Sequence, residues 1–149
     1  MSKGNLGMQI LNYQKVTKNI HTSGQPNADE FLFIAEAGVD TVVNLAMPDH
    51  EKAVANEGAL VTSLGMNYIH IPIVWHHPKI EQYELFRTIM QAHTNKSIWV
   101  HCALNWRVAS FIYLYSIQHL EVSEWQAKAA LHNIWTPDET WSAFIKQNA

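Results

Sequence analysis

The segment His101-Cys102-Ala103-Leu104-Asn105-Trp106-Arg107 sets a thiol and a guanidinium with four residues between them, just after the apolar run Ser97-Ile98-Trp99-Val100. A strongly apolar stretch, 108–119, follows it. If the run is a strand and the stretch a helix, the loop between them is an anion cradle. Successive backbone N–H groups of a tight loop, with the positive end of a helix, face whatever anion occupies the concavity. Ala103, Leu104, Asn105 and Trp106 would supply those N–H groups, and Arg107 could hold two oxygens of a phosphate-like group in a bidentate fork that lysine does not reproduce. The same field favours a thiolate, which makes Cys102 a candidate nucleophile. A free cysteine behind a hydrophobic strand is also a common buried apolar residue. The following arginine and the helix entrance favour catalysis. His101 is a supporting candidate that can orient the loop through a ring N–H.

The rest of the chain reads as the elements that position this loop. Ile20-His21-Thr22 is a short strand running into the turn cluster Ser23-Gly24-Gln25-Pro26-Asn27, whose Asn27 can cap a helix with Glu30 at its third position. That helix covers 28–37 and is closed by Gly38. Asp40 to Leu45 has the composition of a strand covered on both faces, Glu51 to Leu64 reads as a helix ending at Gly65, and Asn67 to Pro72 as another strand. Ile80 to His93 is a helix with Tyr83, Phe86, Ile89 and Met90 on one face, and the strand 97–100 and a helix over 108–119 come next. Two amphipathic helices follow near 123–135 and 137–147, with Ser123 and Thr136 as N-caps and Pro137 at the first helical position. Strands alternating with helices imply an α/β three-layer sandwich with a central, mostly parallel sheet of four or five strands and helices on both faces. Ligands of such sheets bind beyond the carboxyl ends of the strands. The loop 101–107 occupies that position.

Composition narrows the alternatives. The 149 residues carry no repeat or linker and read as one domain, 1–149; 48% hydrophobic and 15% charged residues exclude a disordered chain. No apolar run approaches the roughly 20 residues that span a bilayer. A net charge of −3 without a basic stripe argues against nucleic acid as a partner, and the single cysteine excludes an internal disulfide or a multi-cysteine zinc site. Met1–Gly7 has no apolar signal core, so a cytoplasmic location is expected. His76-His77 with His50 lacks the spacing of a metal site, and neither metal nor cofactor is expected. Trp99, Trp125, Trp135 and Trp141 are expected in the core, while Trp75 and Trp106 flank the cysteine loop as the rim of a pocket suited to an aryl group or a protein contact.

Four segments carry a family resemblance: Thr22-Ser23-Gly24-Gln25-Pro26, 38–45, 65–72, and Val100-His101-Cys102 with Arg107, together spanning about residues 20–120. In these the chain resembles the cysteine-dependent protein tyrosine and dual-specificity phosphatases. It is most similar to small bacterial phosphatase-like domains related to beta-lactamase-hydrolase-like phosphatases. The resemblance implies that Cys102 attacks phosphorus, that Arg107 and the amides of 103–107 stabilise the equatorial oxygens, and that water hydrolyses the phosphocysteine without a metal. The substrate would be a small phosphate monoester or a phosphoprotein, with aryl phosphates such as phosphotyrosine favoured.

The chain departs from that family at three points. Its Cys–Arg loop is one residue shorter than the signature. Asn105 stands near the central glycine, and Val108 replaces the Ser or Thr after the arginine. The loop Ile73-Val74-Trp75-His76-His77-Pro78 holds no aspartate for the general acid, which leaves His76, His77 and Asp49 as candidates. The shorter spacing also suits a rhodanese-like sulfurtransferase forming a persulfide on Cys102. A non-catalytic pseudophosphatase that docks a phosphate-bearing partner is the third reading.

Overall fold

The structure, a computed structural model, describes residues 9–149, so the reading of Met1–Gly7 lies outside the described residues. Strands β1 (Gln14–Lys15), β2 (Ile20–Ser23), β3 (Thr41–Asn44), β4 (Asn67–His70) and β5 (Ile98–His101) form one sheet in the order β1-β2-β5-β3-β4. All neighbours are parallel except the edge strand β1, which runs antiparallel to β2. Around the sheet lie helices α1 (Ala28–Glu36), α2 (Glu57–Ser63), α3 (Ile80–Ala92), α4 (Trp106–His119), α5 (Glu124–Ile134) and α6 (Glu139–Asn148).

Every residue of β3 and β5 is buried, which is why both read as unbroken apolar runs. Side chains alternate across the sheet, so Val42 and Trp99 join one core cluster with Phe31, Ile34 and Val61, while Val43 and Val100 join another with Phe86, Phe111, Leu114 and Trp141. Helices α1 and α2 therefore cover one face and α3 to α6 the other, giving three layers. From Arg107 to Ser116 helix α4 is buried on all sides, as its composition requires. Among the described residues no helix is long and apolar enough to cross a membrane.

Some local expectations shift. The capping box of Asn27 and Glu30 forms, and Gly38 takes the positive φ of 92° that ends α1. Helix α2 begins at Glu57 instead of Glu51, because Asn56 adopts the left-handed conformation (φ 55°) and the preceding residues form turns. Helix α4 starts at Trp106, two residues earlier than 108, and α6 is capped by Asp138, not Thr136. Trp125, expected in the core, is 79% exposed. Helix α5 buries Ala127 and Leu131, four residues apart, and Trp125 lies about half a turn away from that stripe.

His21 gives the fold a pH dependence. Its Nδ1 lies 2.7 Å from the Tyr13 hydroxyl, and its ring stacks on Trp99 at 5.2 Å. Burial, then the charge of Lys15, push its pKa below the ordinary 6.5. The unfolded chain thus takes up a proton before the folded one does, and the stability this group contributes is present above pH 6.5 and lost as pH falls below it. Melting temperatures recorded through mildly acid pH should fall, and His21→Phe should flatten that part of the profile.

Candidate active site

Four polar residues end the parallel strands in register: Ser23 pairs with His101, His101 with Asn44, and Asn44 with His70. Because β5 lies between β2 and β3, the loop that leaves it is flanked on both sides by the loops of its neighbours. This is the crevice that open α/β sheets use for ligands.

The loop 102–105 is shaped from outside through its carbonyl groups. His101 Nδ1 lies 3.2 Å from the Cys102 oxygen, the Gln25 N–H donates to the Ala103 oxygen at 3.0 Å, and the Asn12 amide donates to the Leu104 oxygen at 3.0 Å. In a planar trans peptide the N–H points opposite to the C=O, and no peptide bond here is cis. Tying three successive carbonyls outward therefore turns the N–H groups of Ala103, Leu104 and Asn105 the other way. The unpaired first-turn N–H groups of α4 follow directly behind them. The close approach needs Gly24, whose added Cβ would sit 2.7 Å from the Ala103 oxygen.

Asn105 takes the place where a glycine would be expected, with φ 69°. Asparagine tolerates this left-handed conformation better than other residues with a Cβ. Its buried amide also donates to the Asn12 oxygen (2.8 Å) and to Thr22 Oγ1 (3.2 Å), locking the loop to β2. Asn105→Ala loses both bonds and strains the backbone, so denaturant titration should show a loss of about 2–4 kcal/mol. Asn105→Gly keeps the conformation and should lose less.

Cys102 is buried and unpaired, and lines a cleft of about 240 Å³ with Ala103, Leu104, Trp106, Arg107 and Trp75. Arg107 is only 8% exposed. Its Nη1 donates to the Ile73 oxygen at 2.8 Å and its guanidinium carbon lies 5.4 Å from the centre of the Trp75 ring. Those two contacts fix the plane of the guanidinium and leave the edge carrying Nε and Nη2; Nε is buried with no partner. Trp106 stacks on Trp135 at 5.0 Å and 3°, and Trp75 packs against both. Trp75 and Trp106 do form walls of the cleft.

His101 points away from Cys102 because side chains alternate along β5, and so it meets the face covered by α1 and α2. There its Nε2 lies 2.7 Å from Glu57 Oε2, with both residues buried. Glu57 Oε1 accepts from Gln25 Nε2 at 2.7 Å, and Gln25 Oε1 lies 3.1 Å from His50 Nε2. Burial raises the Glu57 pKa, but the bond and charge of His101, with Gln25 and Tyr68, outweigh it and hold the carboxyl below its ordinary 4.5. Burial, then the charges of Arg107 and His101, push His50 below its ordinary value. Sequence alone does not mark Glu57 or Gln25 as functional, since the bond of Glu57 to His101 crosses 44 residues and that of Gln25 to Glu57 crosses 32, with no local pattern.

Asp49, His76 and His77 are exposed, and none of them lines the cleft of Cys102. His50 is the residue of the 46–56 loop that reaches the site's hydrogen bonds. Among the described residues no group of three or more His, Cys, Asp or Glu is placed to hold a metal ion.

The sheet, its crevice and the cysteine loop define a domain of the dual-specificity and tyrosine phosphatase class. The chain belongs to the family described as "DSP-PTPase phosphatase fused to NAD+ Kinase", whose model matches residues 8–141. It is similar to a DUF442 phosphatase-type protein from Shewanella putrefaciens, at 34% identity and TM-score 0.85, over 98% of this chain and 95% of that one. TpbA of P. aeruginosa shares the fold at 20% identity and TM-score 0.71, over 93% and 86% of the two chains. So does the core catalytic domain of the PP-IP phosphatase SIW14 of S. cerevisiae, at 15% identity and TM-score 0.77, over 94% and 86%. Comparison with curated protein sequences gives no match.

Proposed function

We propose that this protein is a cysteine-dependent phosphatase that hydrolyses phosphate monoesters, carried by a small molecule or a protein, and that aryl phosphates are its favoured substrates. The observation that carries the reading is the free edge of Arg107. A buried guanidinium N–H without a partner is costly to fold, and Arg107, which carries it, lines the same cleft as Cys102. An oxyanion seated between that edge and the loop amides accepts from both. Cys102 Sγ then attacks phosphorus in line, the S–P bond forms as the O–P bond to the leaving group breaks, and the electron pair departs on that oxygen. Water later breaks the S–P bond, releasing inorganic phosphate and restoring the thiolate.

The aryl preference has two supports. Trp75 and Trp106 give the cleft flat walls, and no carboxyl or imidazole among the candidate acids lines it. An aryloxide leaves without a proton far more readily than an alkoxide, for which general-acid help is worth about 10²–10⁴ in rate. Steady-state assays should show an aryl phosphate turned over at least about 100-fold faster than an alkyl phosphate of similar size. Equal rates would sink the preference, and no turnover of either would sink the activity.

A further inference from the structure

We propose that the cleft selects its substrates by charge: it takes a monoester whose phosphoryl group is the only charged group, carried on a single apolar ring, and rejects one that brings a second anion. The inference deepens the phosphatase reading and rests on it for turnover, though not for binding.

One tetrahedral oxyanion uses up the donors that face it. The edge of Arg107 left by the Ile73 oxygen holds two oxygens in a fork, and the amides of the loop meet the rest. Apart from the reacting thiol, Arg107 is the one ionisable residue that lines the cleft among the described residues; the others are Trp75, Ala103, Leu104 and Trp106. A second anionic group on the substrate would therefore leave water for indole and hydrocarbon with no cation to meet it, and an unpaired charge pays heavily for that transfer. Size points the same way. An apolar cavity of roughly 150 Å³ holds benzene. The cleft of about 240 Å³ thus takes one ring with its phosphoryl group. The ring has a fixed wall to lie on, because Trp106 is stacked from behind by Trp135.

The surroundings do not supply the missing cation. The charged and titratable groups that act on His50, beside the site, are Arg107 and His101 on one side and Glu57 and Asp49 on the other, so two carboxylates already stand near the single guanidinium. Lys79, at the N-cap of α3, and Lys52 are exposed and do not line the cleft. What borders it is hydrocarbon. Val74, between the residue that bonds Arg107 and the Trp75 wall, is 45% exposed, and Leu11 is 37% exposed. Leu11 packs beside Gly24, where an added Cβ would stand 3.0 Å from its Cδ2 and 2.7 Å from the Ala103 oxygen. A neutral aryl monoester meets all of these requirements. A nucleotide, a polyphosphate, or a phosphopeptide with an acidic residue next to the phosphorylated one does not.

Two esters of matched shape test this on the full chain: para-(carbamoylmethyl)phenyl phosphate, neutral beyond its phosphate, and para-(carboxymethyl)phenyl phosphate, which carries a second anion. The methylene insulates the ring, so the two phenoxides leave almost equally well. The native protein should favour the amide in kcat/KM by about tenfold or more. In Leu104→Lys, which sets a cation in the cleft wall, the ratio should fall to about threefold or below, while Leu104→Met keeps it. Equal rates in the native protein overturn the proposal, as does an unchanged ratio in a folded Leu104→Lys. If that variant does not fold, the native ratio alone decides. The matching benzylphosphonates, which resist hydrolysis, read the same selection without turnover through protection of Cys102 from iodoacetamide. The amide should protect at about tenfold lower concentration than the carboxylate. Absence of turnover with that difference in protection intact would defeat the phosphatase reading and leave this one standing. Equal protection by the two, or protection by neither, overturns it.

Discussion

Cys102→Ser lowers turnover of an aryl phosphate by at least about 10⁴-fold while the folded protein still binds phosphate. Serine has nearly the size of cysteine and fits the same buried position at the mouth of the loop. A hydroxyl, however, is a poor nucleophile unless a base takes its proton. The ring that could serve, His101, points to the opposite face of the sheet and is engaged by Glu57. The arginine edge and the loop amides are untouched, so affinity for the anion persists when chemistry stops. Kinetics alongside phosphate titration would separate the two. Full activity in the serine variant would remove Cys102 from the mechanism.

Arg107→Lys lowers kcat/KM by about 10²–10³ and, unlike the serine variant, weakens phosphate binding as well. Lysine keeps the charge, yet its ammonium group cannot donate to the Ile73 oxygen and at the same time present two parallel N–H groups to an anion. It also loses the stacking of a planar cation on Trp75. If Arg107 served only to tie the loop before α3 to the start of α4, lysine would recover most of the activity. Phosphate titration of the two variants therefore separates anion recognition from scaffolding.

The position of the cysteine loop was legible because its two flanks have one-dimensional signatures. A buried parallel strand is continuously apolar, as β5 is, and a helix buried on all sides is apolar throughout, as α4 is from 107 to 116. The Asn27–Glu30 capping box is likewise local and was readable. The two-residue strand β1 was not, because it is too short for any alternation to show. The left-handed Asn56 and Asn105 displaced two helix starts, since nothing in their neighbours' types demands a positive φ.

Within the site, sequence singled out the residues joined by the chain and missed those joined by the sheet. Glu57 read as one residue inside a helix. Strand order β5-β3-β4 is what carries its carboxyl to His101 and brings the Ile73 oxygen to Arg107. Asp49, His76 and His77 stood out for the opposite reason: their loops reach the same end of the sheet, but residue type does not say whether a side chain turns inward, and these three are exposed.

The most direct measurement is to quench the protein in acid during turnover of an aryl phosphate and map its mass by peptide. The mechanism predicts one phosphoryl group on the peptide containing Cys102, absent from Cys102→Ser. Sustained turnover with no phosphoryl group on that peptide, or with the group on another residue, would contradict it.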